Sequence, residues 1–275
     1  MRPTILRENS TIRPHGSEIY YEVVGEGPPL VFAHGLGGNY LSWWQQIPFF
    51  SEWFTCITFS HRGFWPSIGA PALYGSAAFA DDLSALLDHL HIQKTLLVAQ
   101  SMGGWTCLEF ALRSPDRVKG LVMSSSSGAL DFQSLGDAEG KMLEEWRRRS
   151  ADAKKSLDGE SILAATGKRM ALEQPALYYM YHRLNSLTPL SYRENIRKRI
   201  HAERILPLEK ILDLTVPVLF VTGEEDIVFP AVAASALASQ MLNATYKQIS
   251  HAGHSVYFER ASEYNAVVSS FIERL

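Results

Sequence analysis

Apolar residues fall into two alternating patterns along the chain. Residues 30–33, 55–59, 95–99, 118–123 and 216–222 form short, mostly apolar runs, the length of strands buried on both faces. Between them lie segments with apolar side chains at steps of three and four. In the clearest, 77–89 and the residue after it, Leu83, Leu86, Leu87 and Leu90 share one helical face. An earlier strand at 18–24, rich in tyrosine and valine, is closed by Gly25-Glu26-Gly27-Pro28-Pro29, and 102–113 reads as helix up to Ser114-Pro115-Asp116. Towards the end, helices at 231–242 and 262–275 flank a strand at 244–249. Strands alternating with helices predict an α/β fold with a mostly parallel sheet covered by helices on both faces.

The alternation lapses from 131 to 212. Only helical segments appear there, at 141–149, 172–184 and 192–204, interrupted by Gly136, Gly159, Pro175 and Pro189. An insertion of this length approaches a small domain. The expected organisation is a core of residues 1–130, a helical cap or lid of 131–213 over the strand ends, and the rest of the core in 214–275.

Composition narrows the function classes. With 46% apolar and 20% charged residues in 275, the chain has the make-up of a globular protein rather than a disordered one. Its formal net charge of −3 creates no field that would draw nucleic acid or an anionic membrane. Two cysteines, Cys56 and Cys107, sit in apolar stretches and cannot build a disulfide framework, which fits a reducing compartment. Residues 1–10 lack the apolar region of a signal peptide, and no apolar run approaches the roughly 20 residues of a membrane span. The expectation is a cytoplasmic protein with a small-molecule substrate and no nucleic-acid or membrane partner, homo-oligomerisation being left open.

The chemistry concentrates at three places. Ala99-Gln100-Ser101-Met102-Gly103-Gly104 joins a predicted strand to a predicted helix, and a sharp turn of this kind needs small residues two positions either side of the serine. Ala99 and Gly103 meet that need. An ordinary helix-capping serine is the competing reading. A serine hydroxyl becomes a useful nucleophile only beside a base oriented by a carboxylate. Gly223-Glu224-Glu225-Asp226 follows one downstream strand and Ser250-His251-Ala252-Gly253-His254 the next. In a parallel sheet all three places fall at the carboxyl edge, where ligands bind. His254 is preferred to His251 because Gly253 gives its loop freedom to turn. Asp226 is preferred to Glu224 and Glu225 because Ile227, Val228 and Phe229 follow it, the glutamates reading as solvated. Catalysis also needs two backbone N–H donors for the oxygen that gains charge: Met102, just after the serine, and Leu36, in the glycine-rich His34-Gly35-Leu36-Gly37-Gly38.

Together with Arg62-Gly63-Phe64, these motifs make the chain similar to the α/β-hydrolase superfamily over essentially its whole length. The resemblance is to the serine-nucleophile branch with a helical cap: lactonases, small-ester hydrolases, cofactor-independent haloperoxidases and hydrolases of ring-cleavage products. It implies the α/β-hydrolase fold, with an eight-stranded sheet and the cap inserted between strands 6 and 7, and an acyl-enzyme on Ser101, with His254 as base and then acid and Asp226 orienting it. Serine at the elbow argues against epoxide hydrolases and haloalkane dehalogenases. The chain departs from its relatives at Ala99, in place of the commoner glycine, at Ser60, where many carry aspartate, and at Trp65-Pro66, where a glycine is usual.

Trp65, Trp105, Tyr178 and Tyr181 are the candidate substrate-binding residues, with Trp43 and Trp44 as further aromatics for an apolar pocket. Residues 137–210 hold fifteen basic and eleven acidic side chains, an excess that favours an anionic substrate unless these charges are simply solvated. The expected function is hydrolysis of a small to medium, largely apolar carboxylic ester or lactone, without metal or organic cofactor. Carbon-carbon hydrolysis of a vinylogous diketone, and ligand binding with vestigial turnover, are the alternatives.

Overall fold

In β-strands with both faces buried, successive side chains enter opposite cores, and the central strands here show that division residue by residue. Val31, Ala33, Leu97, Ala99, Leu121, Met123, Val218 and Phe220 belong to one apolar cluster, while Leu30, Phe32, Leu96, Val98, Val122, Leu219 and Val221 belong to a second. The computed structural model describes residues 6–69 and 74–275. Its strands are β1 (Leu6–Ile12), β2 (Ile19–Val24), β3 (Pro29–Ala33), β4 (Thr55–Phe59), β5 (Thr95–Gln100), β6 (Val118–Ser124), β7 (Val218–Gly223) and β8 (Ala244–Ile249). They form one sheet in the order β1-β2-β4-β3-β5-β6-β7-β8. The first two pairings, β1 with β2 and β2 with β4, are antiparallel; the other five are parallel.

The helices are α1 (Ile47–Phe50), α2 (Ser76–His89), α3 (Met102–Arg113), α4 (Asp137–Gly159), α5 (Gly167–Glu173), α6 (Pro175–Ser186), α7 (Leu190–Ala202), α8 (Leu208–Leu212), α9 (Ala231–Gln240), α10 (Val256–Glu259) and α11 (Ala261–Ile272). Leu83, Leu86 and Leu87 of α2, Cys107, Phe110 and Ala111 of α3, and Ala233 and Leu237 of α9 cover the first face. Phe50 of α1 and Tyr264, Val268 and Phe271 of α11 cover the second. No helix among the described residues is long and apolar enough to cross a membrane.

Five helices, α4 to α8, lie between β6 and β7. The segment expected as one helix at 172–184 is two, α5 and α6, because Pro175 occupies the first turn of α6. This helical stretch packs onto the loops at the carboxyl edge of the sheet. Ile196 and Ile200 of α7 join Phe64, Phe79, Met102 and Trp105 in a third apolar cluster. Asn39 Nδ2 donates to Leu184 O at 3.3 Å, and both Ser76 N and Ser76 Oγ donate to Glu203 Oε2 at 2.8 Å.

Candidate active site

Ser101 turns the chain from β5 into α3 with φ +48° and ψ −110°, a left-handed backbone that non-glycine residues adopt only where the surroundings enforce it. The enforcement is visible. Ser101 N donates to Ser124 O at 2.9 Å, and Ser101 O accepts from Ser126 Oγ at 2.7 Å and from Gly104 N at 2.9 Å. The turn also demands close approach of helix and strand: a Cβ on Gly103 would lie 2.2 Å from Ala33 O. Ser101 makes no side-chain capping bond to α3, so its hydroxyl is not engaged by the helix that follows.

The loops after β7 and β8 bring Asp226 to His254. Asp226 Oδ1 accepts Val228 N and Phe229 N at 2.8 Å each, and Oδ2 meets His254 Nδ1 at 2.9 Å. A carboxylate only accepts, so the contact puts the ring proton on Nδ1 and leaves Nε2 with a free lone pair. Both side chains are buried, Asp226 at 1% and His254 at 7% exposure. The two loops are pressed together at their glycines, for a Cβ on Gly223 would lie 2.1 Å from Gly253 O. Gln100 Nε2 donates to His254 O at 2.8 Å, tying the base to the residue before the serine. Among the described residues no hydrogen bond joins Ser101 Oγ to the His254 ring.

His251 is exposed and its N–H donates to Glu224 Oε2 at 3.3 Å, so of the two histidines it is His254 that meets Asp226. Glu225 is not merely solvated: it forms an ion pair with Arg169 at 2.7 Å.

The loop after β3 lies against the elbow, with a Cβ on Gly35 placed 3.3 Å from Ser101 Cβ. His34 anchors this loop. Its Nδ1–H donates to Gly35 O at 2.7 Å, and its Nε2 accepts His61 N at 3.0 Å. His61 Nε2 in turn lies 2.8 Å from Thr106 Oγ1 on α3. Burial pushes His34 down to about 4 and holds His61 well below its ordinary range, with His34 beside it adding to the effect. Leu36 is half-buried against the third cluster, which contains Met102. Met102 opens α3, where a backbone N–H has no acceptor within the helix.

The aromatic residues separate. Tyr181 OH accepts from Ser255 Oγ at 2.8 Å, beside His254, and its ring meets Phe258 edge-on. Trp105 is 5% exposed in the third cluster, with the Arg204 guanidinium 4.9 Å from its ring centre. Tyr178 OH accepts Leu163 N at 3.3 Å and donates to Ser161 O at 3.4 Å. Trp65 is exposed and donates its backbone N–H to Thr188 Oγ1. Trp43 is fully buried between Phe32 and Tyr257, so it belongs to the core and not to an open pocket, whereas Trp44 is exposed.

Some contacts at this site carry no sequence motif. Trp146 Nε1 donates to Asp226 O at 3.2 Å, and Ser255 N reaches Ala165 O at 3.1 Å, so the helical stretch touches the loops of both acid and base. Glu259 and Gln100 hold the backbone around His254. Among the described residues no group of three or more histidine, cysteine, aspartate or glutamate side chains is arranged to hold a metal ion. Surface cavities of about 420 Å³ beside Phe132 and Arg147, and about 460 Å³ beside Arg7 and Ile92, do not touch Ser101, Asp226 or His254.

The family model of the alpha/beta hydrolase fold matches residues 28–261, which span every loop just described. The chain belongs to the α/β-hydrolase fold family. The protein of Yersinia enterocolitica named "Putative carbamate hydrolase RutD" is 25% identical over 268 residues, covering 92% of each chain. Est816, described as an N-acyl homoserine lactone degrading enzyme, superposes with a TM-score of 0.77 at 25% identity over 95% of this chain and all of its own. A thermophilic esterase from Thermogutta terrifontis superposes with a TM-score of 0.77 at 22% identity, covering 97% and 98% of the two chains. This α/β-hydrolase is an enzyme of the hydrolase class.

Proposed function

We propose that this α/β-hydrolase cleaves a small to medium, largely apolar carboxylic ester or lactone through an acyl-enzyme on Ser101. The observation that carries the reading is the pairing of a strained serine whose hydroxyl does not cap its helix with a buried histidine held on a carboxylate. Ser101 Oγ attacks the carbonyl carbon while its proton passes to His254 Nε2. The imidazolium so formed is stabilised by Asp226, whose remaining acceptor capacity is filled by Val228 and Phe229. The tetrahedral oxygen takes hydrogen bonds from the N–H groups of Leu36 and Met102, each worth about 3 to 4 kcal/mol to the transition state in such sites. His254 returns the proton to the departing alkoxide. Water then repeats the sequence and frees the acid. The short bond from serine to histidine forms with substrate in place, as catalytic hydrogen bonds tighten from the free enzyme to the complex.

Helices α4 to α8 act as the cap of this site, closing over it through Trp146, Ala165 and Tyr181. The third cluster gives the acyl side an apolar wall at Leu36, Met102 and Trp105. A lactone fits what Est816 is described as degrading. The test is hydrolysis of aryl esters of increasing acyl length and of several lactones by the wild type and Ser101→Ala. Turnover lost in the variant supports the reading; a folded wild type that turns over no member of the panel overturns it.

A further inference from the structure

The backbone on both sides of His254 is gripped by one buried side chain. Glu259, 5% exposed at the end of α10, accepts Gly253 N through Oε2 at 2.8 Å and Ser255 N through Oε1 at 3.1 Å. These are the peptide N–H groups immediately before and after the histidine. The histidine's own carbonyl is held by Gln100, and Ser255 N is shared with Ala165 O. A carboxyl group with two oxygens a fixed distance apart spans both N–H groups as no side chain with a single acceptor can. Without it Gly253 N loses its acceptor, and between the anchors at Ala252 O, held by Glu225 N, and His254 O, held by Gln100, Gly253 gives the backbone freedom to shift.

Resting on the reading of His254 as base, we infer that Glu259 is a positioning residue, fixing the histidine loop so that the ring reaches both Asp226 and Ser101. A base displaced by about 1 Å loses on the order of a hundred-fold in rate, so the grip is read in the chemical step rather than in substrate binding. The groups facing Glu259 are Asp226 from the β7 loop, Arg260 beside it, Tyr257 on α10 and Tyr181 on α6. Burial, with Asp226 nearby, raises Glu259 to about 8 against the pull of its two N–H donors and Arg260. Above that pH both hydrogen bonds become charge-assisted and stronger. Burial raises Tyr181 to about 12 and Tyr257 further, so neither titrates in the same range.

The experiment uses an alkyl fluorophosphonate, which needs the serine and its base but no particular substrate. Ser101 Oγ bonds to phosphorus, fluoride leaves, and the hydroxyl proton passes to His254. Labelling rates of wild type, Ser101→Ala, Glu259→Gln and Glu259→Asp are followed from pH 5 to 10, with kcat and KM on the best ester of the panel. The expected result is a labelling rate and kcat roughly ten- to a hundred-fold lower in E259Q, with KM within about two-fold. The wild-type rate should carry an ionisation near 8 that E259Q lacks. A wild type that does not label overturns the serine hydrolase itself. An E259Q rate within about two-fold of the wild type overturns the role of Glu259 alone. If neither Glu259 variant folds, hydrogen exchange of the Gly253 and Ser255 amides in the wild type decides, and exchange as fast as in an open loop overturns the grip.

Discussion

Asp226 meets His254 with both oxygens, Oδ2 at 2.9 Å and Oδ1 at 3.2 Å from Nδ1, and Oδ1 also accepts the N–H groups of Val228 and Phe229. The two hydrogen bonds to Oδ1 stop the carboxylate rotating, and its charge fixes which ring nitrogen carries the proton. Asp226→Asn can keep the turn by placing its amide oxygen at Oδ1, but it then offers an N–H to Nδ1 and drives the proton to the nitrogen that should accept from serine. The expected outcome is a loss of roughly 10⁴-fold in kcat with unchanged circular dichroism. Steady-state hydrolysis of the best ester of the panel checks it.

The elbow depends on Gly103 as much as on Ser101. With a Cβ there 2.2 Å from Ala33 O and 2.7 Å from Ala33 C, Gly103→Ala must push α3 away from β3. Overpacking of this kind costs about 1 to 3 kcal/mol. It also moves Met102 N, which starts the same helix, so activity should fall further than stability. Thermal unfolding and kcat, measured on the same preparation, test both.

The central strands were legible in sequence because they are buried on both faces and therefore apolar at nearly every position. β5 is buried throughout. β1 had no such signal: Leu6–Ile12 is an edge strand exposed at six of seven positions, and its polar sequence follows from that exposure. The serine turn was legible because close packing of strand and helix demands small residues at fixed steps. Glu259 was not, since its role depends on where α10 folds back beneath the histidine loop, and a lone glutamate after Val256-Tyr257-Phe258 looks like a surface charge. Trp43 carried no mark that would separate a core tryptophan from one lining a pocket. In both cases the missing information was the packing of segments distant in sequence.

The helical stretch is fastened to the core partly by one carboxylate. Glu203, just past α7, accepts both the N–H and the hydroxyl of Ser76 at the start of α2, where a negative charge also suits the helix dipole. Glu203→Ala is expected to cost about 1 to 2 kcal/mol, in the range of a lost helix cap. Because the lost contact lies between the stretch and the core, limited trypsin digestion should cut within residues 131–213 sooner than in the wild type. Equal digestion rates would argue that the other contacts hold the stretch unaided.

Arg62 and Asp82 form a buried pair, 3% and 1% exposed, with Nε and Nη2 each 2.6 Å from a carboxylate oxygen. The pair links the loop after β4 to α2. Asp82→Ala leaves a guanidinium charge without its carboxylate partner, which typically costs about 3 to 5 kcal/mol. A large fall in melting temperature is expected, with loss of soluble protein as the extreme form of the same result. A fall of only a degree or two would show that Arg62 relaxes to solvent.

Acid should destabilise the fold through the buried histidine pair of the loops after β3 and β4. His34 and His61 are buried within hydrogen-bond distance of each other, and both are held neutral in the folded state, His34 down to about 4. The unfolded chain takes up these protons near the ordinary imidazole value of about 6.5. Between that value and about 4 the unfolded state therefore binds more protons than the folded one, and stability rises with pH across this window. Each unit of separation is worth about 1.4 kcal/mol, so His34 accounts for about 3 kcal/mol lost on going from pH 7 to pH 4, and His61 acts in the same direction. Glu259 acts in the opposite sense: burial raises it to about 8, so the folded state binds the extra proton and stability falls as pH rises from its ordinary carboxylate range to that value. Urea unfolding from pH 4 to 9 should give a maximum rather than a plateau. His61→Gln should flatten the acid limb and Glu259→Gln the alkaline one. A variant that leaves its own limb unchanged would show that the group it removes does not titrate on folding.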